Sequence, residues 1–456
     1  MIVRSMEEIQ QMIPGSELVN GANITISGVS TDTRKIEKNN LFVPLVGDNF
    51  NGHRFVNTAL ENGAGALLWA RSEGEYPADT AVLLVDNTLE AMQQLAKSYL
   101  QQLSVKVVGV TGSNGKTTTK DMIEAILSTT YKVLKTEGNF NNHIGLPLTV
   151  FRLEEDTDIA ILEMGMSARG EIELLSKIGT PEVAVITNIG ESHLLDLGSR
   201  DGIAEAKLEI VKGLQQDGVL IYNGDEPLLT SRVPAMNLKT VTVGEGKELD
   251  YYPVSIEQNS SETKFVISKD DDLIFTMPVL GKHNVHNALT AIAVGEQFNI
   301  PFETIAKGLK NLHLTNMRME MVKGKDGLSI INDAYNASPT SMKAAVQLVQ
   351  DLDGFKQKVV VLGDMLELGE DENQFHYEVG ASLDPNKIDY VFVYGPLSQY
   401  LAQGAKQVFP ENRVLYFDDK ELLAEKLASV VYPEDLVLIK ASRGMKLEEI
   451  ISNLMK

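Results

Sequence analysis

The chain has 456 residues, too many for a single hydrophobic core, and its length suggests about three domains. Its 43% hydrophobic and 23% charged residues are those of an ordinary soluble globular protein, while a formal net charge of −22 argues against a general nucleic-acid binder. Zero cysteines exclude disulfides, thiolate metal sites and a cysteine nucleophile, which fits a cytoplasmic location.

The acidity has two readings. It serves solubility, and it means that any anionic substrate must be met by local lysines, arginines, helix termini or metal ions. Residues 1–12 are polar and amphipathic rather than an apolar signal core, and no apolar run approaches the ~20 residues of a membrane span. No membrane insertion and no nucleic-acid partner are expected.

Residues 1–103 read as a small α/β unit. Helices are predicted near 5–12 and 57–62, strands at 41–44, 66–69 and 81–85, and a longer helix at 88–101. A second unit, 104–314, alternates strands and helices as a parallel sheet requires, with apolar runs at 106–110, 159–163, 183–187, 219–222 and 240–243. Polar/apolar alternation over 250–280, with a turn at Gln258-Asn259-Ser260-Ser261, predicts a hairpin packed against that sheet. Two helices follow, 283–298 and 301–312. The third unit, 315–456, has strands at 329–332, 358–362, 390–393, 414–417 and 436–440. Helices at 340–352, 374–383, 397–408, 420–430 and 447–454 fill the gaps, the cadence of an open Rossmann-like sheet. It has no Gly-x-Gly-x-x-Gly after its first strand, so a dinucleotide is not expected.

The most informative stretch is Thr111-Gly112-Ser113-Asn114-Gly115-Lys116-Thr117-Thr118-Thr119, which follows an apolar β-branched run and precedes a helical pattern over 120–128. Glycines let backbone N–H groups approach phosphate oxygens, and a helix N-terminus adds partial positive charge. Lys116 has the reach for the β- and γ-phosphates, and the Thr117 hydroxyl can ligate Mg²⁺. The general pattern wants a glycine where this chain has Val110.

Other chemistry-bearing residues sit where that loop's sheet would end. Glu163 closes the run Ile159-Ala160-Ile161-Leu162, a position for a Mg²⁺-ligating carboxylate or for an ordinary solvated strand end. His193 follows the strand 183–187 and leaves from the same edge, as a metal ligand or a structural histidine. Lys207 lies within the apolar stripe Ile203, Ile210, Val211, Leu214 of a predicted helix 202–214. It snorkels, or the stripe is centred instead on Ala204, Leu208 and Val211, or it is desolvated and neutral and reacts with CO₂ to give a carbamate. Asn284 and Asn287 share a face of a helix's first turn and suit an adenine edge, although Asn284 could equally cap the helix. Arg318 and Asp333, at the start of the third unit, would serve a phosphate and a ribose hydroxyl and let that unit close over the nucleotide.

In order along the chain, TGSNGKTTT, LEMGMSARGEI, TNIGESHL, IAEAKLEI, GKHNVHNAL, MRME and NDAYNASP resemble the Mur ligases, which add amino acids to the peptidoglycan precursor. The likeness spans essentially the whole chain, and the absent early glycine is normal for that family's phosphate loop. GDMLELGE and TEGNFNNHIGLPLT resemble the members that join D-alanyl-D-alanine to UDP-N-acetylmuramoyl-tripeptide. The Asn-Pro signature expected of a diaminopimelate- or lysine-adding member is not found.

The resemblance implies a three-unit α/β enzyme: a UDP-sugar-binding unit, a central ATP-binding unit and a C-terminal unit admitting the dipeptide. It implies that Gly112, Ser113, Asn114, Gly115, Lys116, Thr117 and Thr118 hold ATP, with Asn287 on adenine, Arg318 on the γ-phosphate and Asp333 on the ribose. Thr117, Glu163, His193 and a carbamylated Lys207 would hold Mg²⁺. STDTRK and FNGHRF would place Ser30, Arg34, Asn51 and His53 at the UDP-sugar, with Asn139, Asn142 and Arg169 near the muramoyl-peptide. Asn336, Lys440, Ser442 and Arg443 would face the dipeptide. The implied enzyme is a cytoplasmic monomer that forms a carbon–nitrogen bond through an acyl phosphate. Rival readings are another ligase of the superfamily, including a folate-glutamate ligase, a P-loop nucleotide switch, and a degenerate sugar-nucleotide-binding protein.

Overall fold

The computed structural model describes residues 1–455. Its centre is a six-stranded parallel sheet in the order Val133–Lys135, Ile159–Glu163, Lys106–Thr111, Val183–Ile186, Val219–Asn223, Lys239–Val243. These strands are short and mostly buried, as expected when helices cover both faces of a parallel sheet. The chain starts at the third position and builds outward both ways, so the strand order reverses at Lys106–Thr111. Open α/β sheets leave their ligand crevice at such a reversal, beyond the carboxyl ends of the strands.

Two elements of this unit differ from the sequence expectation. The segment after Tyr251 is a three-stranded antiparallel meander, Pro253–Gln258, Thr263–Ile267 and Asp270–Met277, rather than one hairpin. Phe265, Ile267, Phe275 and Met277 are buried in one core with Val108, Val110 and helix Lys282–Gln297. The predicted helix 202–214 is shorter: α-helix Arg200–Leu208 passes into a 3₁₀ turn, Glu209–Lys212. The Glu209 carboxylate accepts from the Gly170 and Glu173 N–H groups at 2.8 and 3.2 Å, and Gly213 N–H donates to Ser176 Oγ at 3.1 Å. These bonds pull the chain out of α-helical register.

The N-terminal unit is a five-stranded mixed sheet, Glu17–Val19, Ala81–Val85, Ala66–Ala70, Leu41–Phe42, Val29–Ser30. Helices Met6–Met12 and Thr88–Gln102 cover one face, and their buried residues belong to the same core as Leu146, Phe151, Leu175 and Ile203 of the central unit. The C-terminal sheet runs Glu320–Lys323, Ser329–Asp333, Leu436–Lys440, Lys358–Gly363, Tyr390–Tyr394, Val414–Phe417. Its first strand is antiparallel and the rest parallel, with an apolar core on each face. Among the described residues, no helix is long and apolar enough to cross a membrane.

Candidate active site

The phosphate loop leaves strand Lys106–Thr111 at the sheet reversal. Gly112 has φ +147°, and a Cβ there would collide with the Thr187 hydroxyl. Gly115 has φ +79° and caps helix Lys116–Leu127 with no side-chain acceptor, so the helix begins four residues earlier than predicted. Its first N–H groups are thus left for a ligand. A Cβ on Gly115 would lie 2.6 Å from Asn287 Oδ1. Both glycines are required, each by close approach and by a positive φ that other residues rarely adopt.

The loop lines a cavity of about 470 Å³ that takes its walls from the central and C-terminal units. Gathered around it are Ser113, Asn114, Gly115, Lys116, Thr117, Thr118, Asn139, Asn142, Glu163, His193, Lys207 and Asn287 from one side, and Arg318, Asp333, Asn336 and Lys440 from the other. Residues separated by more than 300 positions therefore meet in one volume.

Glu163 is the electrostatic centre. Its Oε2 accepts from Thr117 Oγ1 at 3.1 Å and lies 3.3 Å from Lys120 Nζ; its Oε1 accepts from Asn141 Nδ2 at 2.9 Å. Burial alone would raise its pKa, but Lys120, Lys116 and the Asn141 bond outweigh it and hold the carboxyl below its ordinary value. Lys116 Nζ donates to Gly112 O at 2.7 Å and Ser113 O at 3.3 Å. Burial lowers its pKa and Arg318 adds to that, against Glu163. The Arg318 guanidinium stacks 4.0 Å from the Tyr335 ring centroid and reaches Thr117 Oγ1 at 3.4 Å. Its Nε is buried with no hydrogen-bond partner among the described residues, a donor left over for an anion.

Lys207 is 2% exposed, and burial, reinforced by Lys116, drives its pKa well below the ordinary lysine value. It faces the cavity on the short helix Arg200–Leu208 without an ion-pair partner among the described residues. His193 is pushed down by burial and by Lys116 and Lys207, while Glu367, 2.8 Å from its Nδ1, acts the other way. Among the described residues no cluster of three or more acidic or histidine side chains forms a ready metal cage. A divalent cation would rest on Thr117 and Glu163 together with phosphate oxygens and water, the coordination Mg²⁺ prefers. The buried, ionised Glu163 beside a hydroxyl fits that donor set.

Asn284 does not cap its helix: Gly281 holds that position, and Asn284 Nδ2 donates to Leu280 O at 2.7 Å. Asn284 Oδ1 accepts from Asn287 Nδ2 at 3.0 Å, and Asn287 Oδ1 accepts from Thr119 at 3.2 Å. Asp333 is held by Lys440 at 2.5 Å and by Met319 N–H at 3.2 Å. Ser442 and Arg443 stand outside the cavity: Ser442 Oγ accepts from Leu366 N–H at 2.9 Å, and Arg443 pairs with Glu448 at 2.7 Å. Arg169, 59% exposed, pairs with Glu205 at 2.8 Å.

The N-terminal set forms its own group. Arg34 is 86% exposed and makes a bidentate pair with Asp32, whose carboxyl this pair lowers to about 2. Ser30 Oγ bonds to Asp32 O at 3.0 Å. Asn51 Oδ1 accepts from His53 N–H at 2.9 Å, and the His53 ring stands edge-on to Trp69. Sequence reasoning missed Asn141, Lys120, Asn188 and His283. Lys120 carried a signal, being one helical turn after Lys116, and Asn141 lies between Asn139 and Asn142.

A glycine-rich loop at a helix N-terminus, a buried carboxylate and cations brought from a second unit define a nucleotide-binding site suited to phosphoryl transfer. Family descriptions match along the chain: Mur ligase family, catalytic domain, over residues 25–100; Mur ligase middle domain over 110–295; and Mur ligase, glutamate ligase domain, over 317–443. The chain belongs to the Mur ligase family. It is 56% identical to the UDP-N-acetylmuramoyl-tripeptide–D-alanyl-D-alanine ligase of Bacillus subtilis (strain 168), covering 100% of this chain and 99% of that one. To the ligase of the same name from Escherichia coli (strain K12) it is 34% identical, over 99% and 98%. Its fold matches a crystal structure of MurF from Acinetobacter baumannii with TM-score 0.91 at 31% identity, over 100% and 99% of the chains. MurF ligase from Thermotoga maritima in complex with ADP gives 0.82 at 30% identity, over 94% and 97%.

Proposed function

We propose that this chain is the ATP-dependent ligase that joins D-alanyl-D-alanine to UDP-N-acetylmuramoyl-tripeptide in peptidoglycan precursor synthesis. The observation that carries the reading is 56% identity, from end to end, with a ligase of that name. The cavity between the units supplies the chemistry. ATP lies on the 112–118 loop, with Asn287 toward adenine, Asp333 toward the ribose and Arg318 toward the γ-phosphate. Units 1–103, 104–314 and 315–456 take the UDP-sugar, the nucleotide and the dipeptide respectively. Ser30, Arg34, Asn51 and His53 serve the first, Asn139, Asn142 and Arg169 the muramoyl-peptide, and Asn336, Lys440, Ser442 and Arg443 the dipeptide.

The peptide carboxylate attacks the γ-phosphorus of ATP in line, the bond to the ADP oxygen breaks, and an acyl phosphate forms. The dipeptide amine then attacks the acyl carbon. The tetrahedral intermediate loses the amine proton and expels phosphate, leaving an amide. Two anions must first meet, and Lys116 and Arg318 offset their repulsion where charge develops. Mg²⁺ held by Thr117 and Glu163, with His193 and a carbamylated Lys207 as further ligands from the same cavity, would supply additional charge neutralisation. The Lys207 amine is buried, its pKa lowered by that burial, and it has no ion-pair partner among the described residues, which suits carbamylation: the unprotonated amine adds CO₂, sheds one proton and becomes carboxylate-like. Closure of the C-terminal unit keeps water from the acyl phosphate. The nucleotide cavity takes all its walls from one chain, which supports a monomer, and soluble nucleotide substrates support the cytoplasm.

The test supplies ATP, Mg²⁺ and UDP-N-acetylmuramoyl-tripeptide with D-alanyl-D-alanine, lysine, diaminopimelate and glutamate in competition, then weighs the product. Addition of the dipeptide mass supports the reading. Addition of a single amino acid, or ATP hydrolysis indifferent to the amine, overturns it.

A further inference from the structure

The loop 364–369 of the C-terminal unit makes one contact that the reaction as drawn does not use. Glu367 Oε2 lies 2.8 Å from His193 Nδ1 across the boundary between units. Nδ1 is buried and in line with no acceptor, so a small ring rotation would convert this approach into a hydrogen bond. The backbones are joined as well, Leu195 N–H donating to Glu367 O at 3.2 Å. Both His193 and Glu367 sit in left-handed backbone, φ 64° and 65°, an arrangement that non-glycine residues keep only where their surroundings impose it.

The surroundings do impose it. Just before Glu367 the loop is pinned by buried groups of its own unit. Met365 N–H donates to His376 Nε2 at 2.9 Å, Leu366 N–H donates to Ser442 Oγ at 2.9 Å, and the Asp364 carboxylate accepts from Ser398 N–H and Oγ, each at 2.7 Å. His376 and Asp364 are 0% and 1% exposed. This rigid base fixes where the Glu367 carboxylate points.

We propose that Glu367 is a positioning residue for His193: it keeps the imidazole proton on Nδ1 and leaves Nε2 as the lone-pair nitrogen. A carboxylate on one ring nitrogen sets the tautomer and orientation of the other, which can then accept a proton or bind a cation. Because the two residues belong to different units, the ring takes this form only when those units are together. The inference rests on the ligase reading for its kinetic arm and stands apart from it for its spectroscopic arm.

The experiment uses full-length enzyme labelled with ¹⁵N-histidine and long-range ¹H–¹⁵N correlation, with His193→Gln to assign the ring. Wild type should show the Nδ1-protonated tautomer. Glu367→Gly, which suits the left-handed backbone and so protects folding, should lose that preference and keep the wild-type melting temperature. Its kcat should fall about 10–100-fold with KM for ATP unchanged, and Glu367→Asp should recover part of the loss. An unchanged tautomer, or a kcat within about twofold of wild type, overturns the proposal. Failure of wild type to ligate D-alanyl-D-alanine would instead count against the proposed function and leave the tautomer result readable.

Discussion

Lys120 Nζ lies 3.3 Å from Glu163 Oε2, and the two side chains are 1% and 3% exposed. Two opposite charges are thus closed off from water beneath the phosphate loop. Removing one member of such a pair strands the other, which costs about 3–5 kcal/mol, whereas replacing both costs much less. Lys120→Met should therefore destabilise the fold by about 3 kcal/mol, and Glu163→Gln in that background should cost less than in wild type. Urea unfolding of the four members of the cycle measures this. Effects additive within about 0.5 kcal/mol would show that the pair is not coupled.

Lys116→Ala should lower kcat by at least about 10²–10³-fold, because its charge acts on the phosphoryl group in the transition state. Arg318, the other cation at the loop, already stacks on Tyr335 and reaches Thr117. Near-normal turnover in that variant would remove the phosphate loop from the chemistry.

Lys207→Ala should be inactive without supplements and regain part of its activity with short-chain carboxylates, which fill the space of the missing carbamate. Wild type incubated with ¹³C-bicarbonate should show a carbamate carbon resonance that Lys207→Ala lacks. Full activity of the unsupplemented variant would dispose of the modification.

Gly112→Ala should abolish nucleotide binding and destabilise the protein by more than about 1 kcal/mol, since the added methyl meets the Thr187 hydroxyl and the backbone is left-handed. Calorimetric titration with ADP and a thermal melt read the two effects separately. Wild-type affinity for ADP would contradict the tight loop geometry.

Burial pushes the His283 imidazole down to about 4, Lys440 adding to the effect against Asp333, while the unfolded chain keeps the ordinary 6.5. Between those values the unfolded state binds a proton that the folded state does not. Stability on this account is full above about pH 6.5, falls as pH drops toward about 4, and falls no further below. His376, also lowered by burial, adds to the same slope. Urea midpoints followed from neutral pH downward should decline less steeply for His283→Gln than for wild type. Parallel declines would refute this.

The buried strands were legible because parallel strands covered on both faces are written as apolar runs. Ile159–Glu163 and Leu436–Lys440 are of this kind, fully buried along their length. Val133–Lys135 and Glu320–Lys323 were not legible: the first is three half-buried residues, the second an antiparallel edge with no fully buried residue. At the site, residues within or just beyond the strand ends could be read from position, as Lys116 and Glu163 were. Asn188 could not, because an asparagine that hydrogen-bonds a neighbour leaves no period in the sequence. Asn188 Oδ1 accepts from Asn114 N–H at 2.9 Å and so shapes the phosphate loop, which only the folded loop reveals.

The polar seam where the C-terminal unit meets the phosphate loop includes the hydrogen bond from Ser338 Oγ to Asn114 Oδ1 at 3.2 Å and the contacts of Thr340 with the Glu191 carboxylate, the shortest from Oγ1 to Oε2 at 2.8 Å. Such bonds contribute about 1 kcal/mol net between neutral groups and about 1.5–3 kcal/mol where the acceptor is a carboxylate. Parting these contacts is therefore cheap, so departure of ADP, phosphate and the lengthened peptide need not wait on a strongly fastened gate.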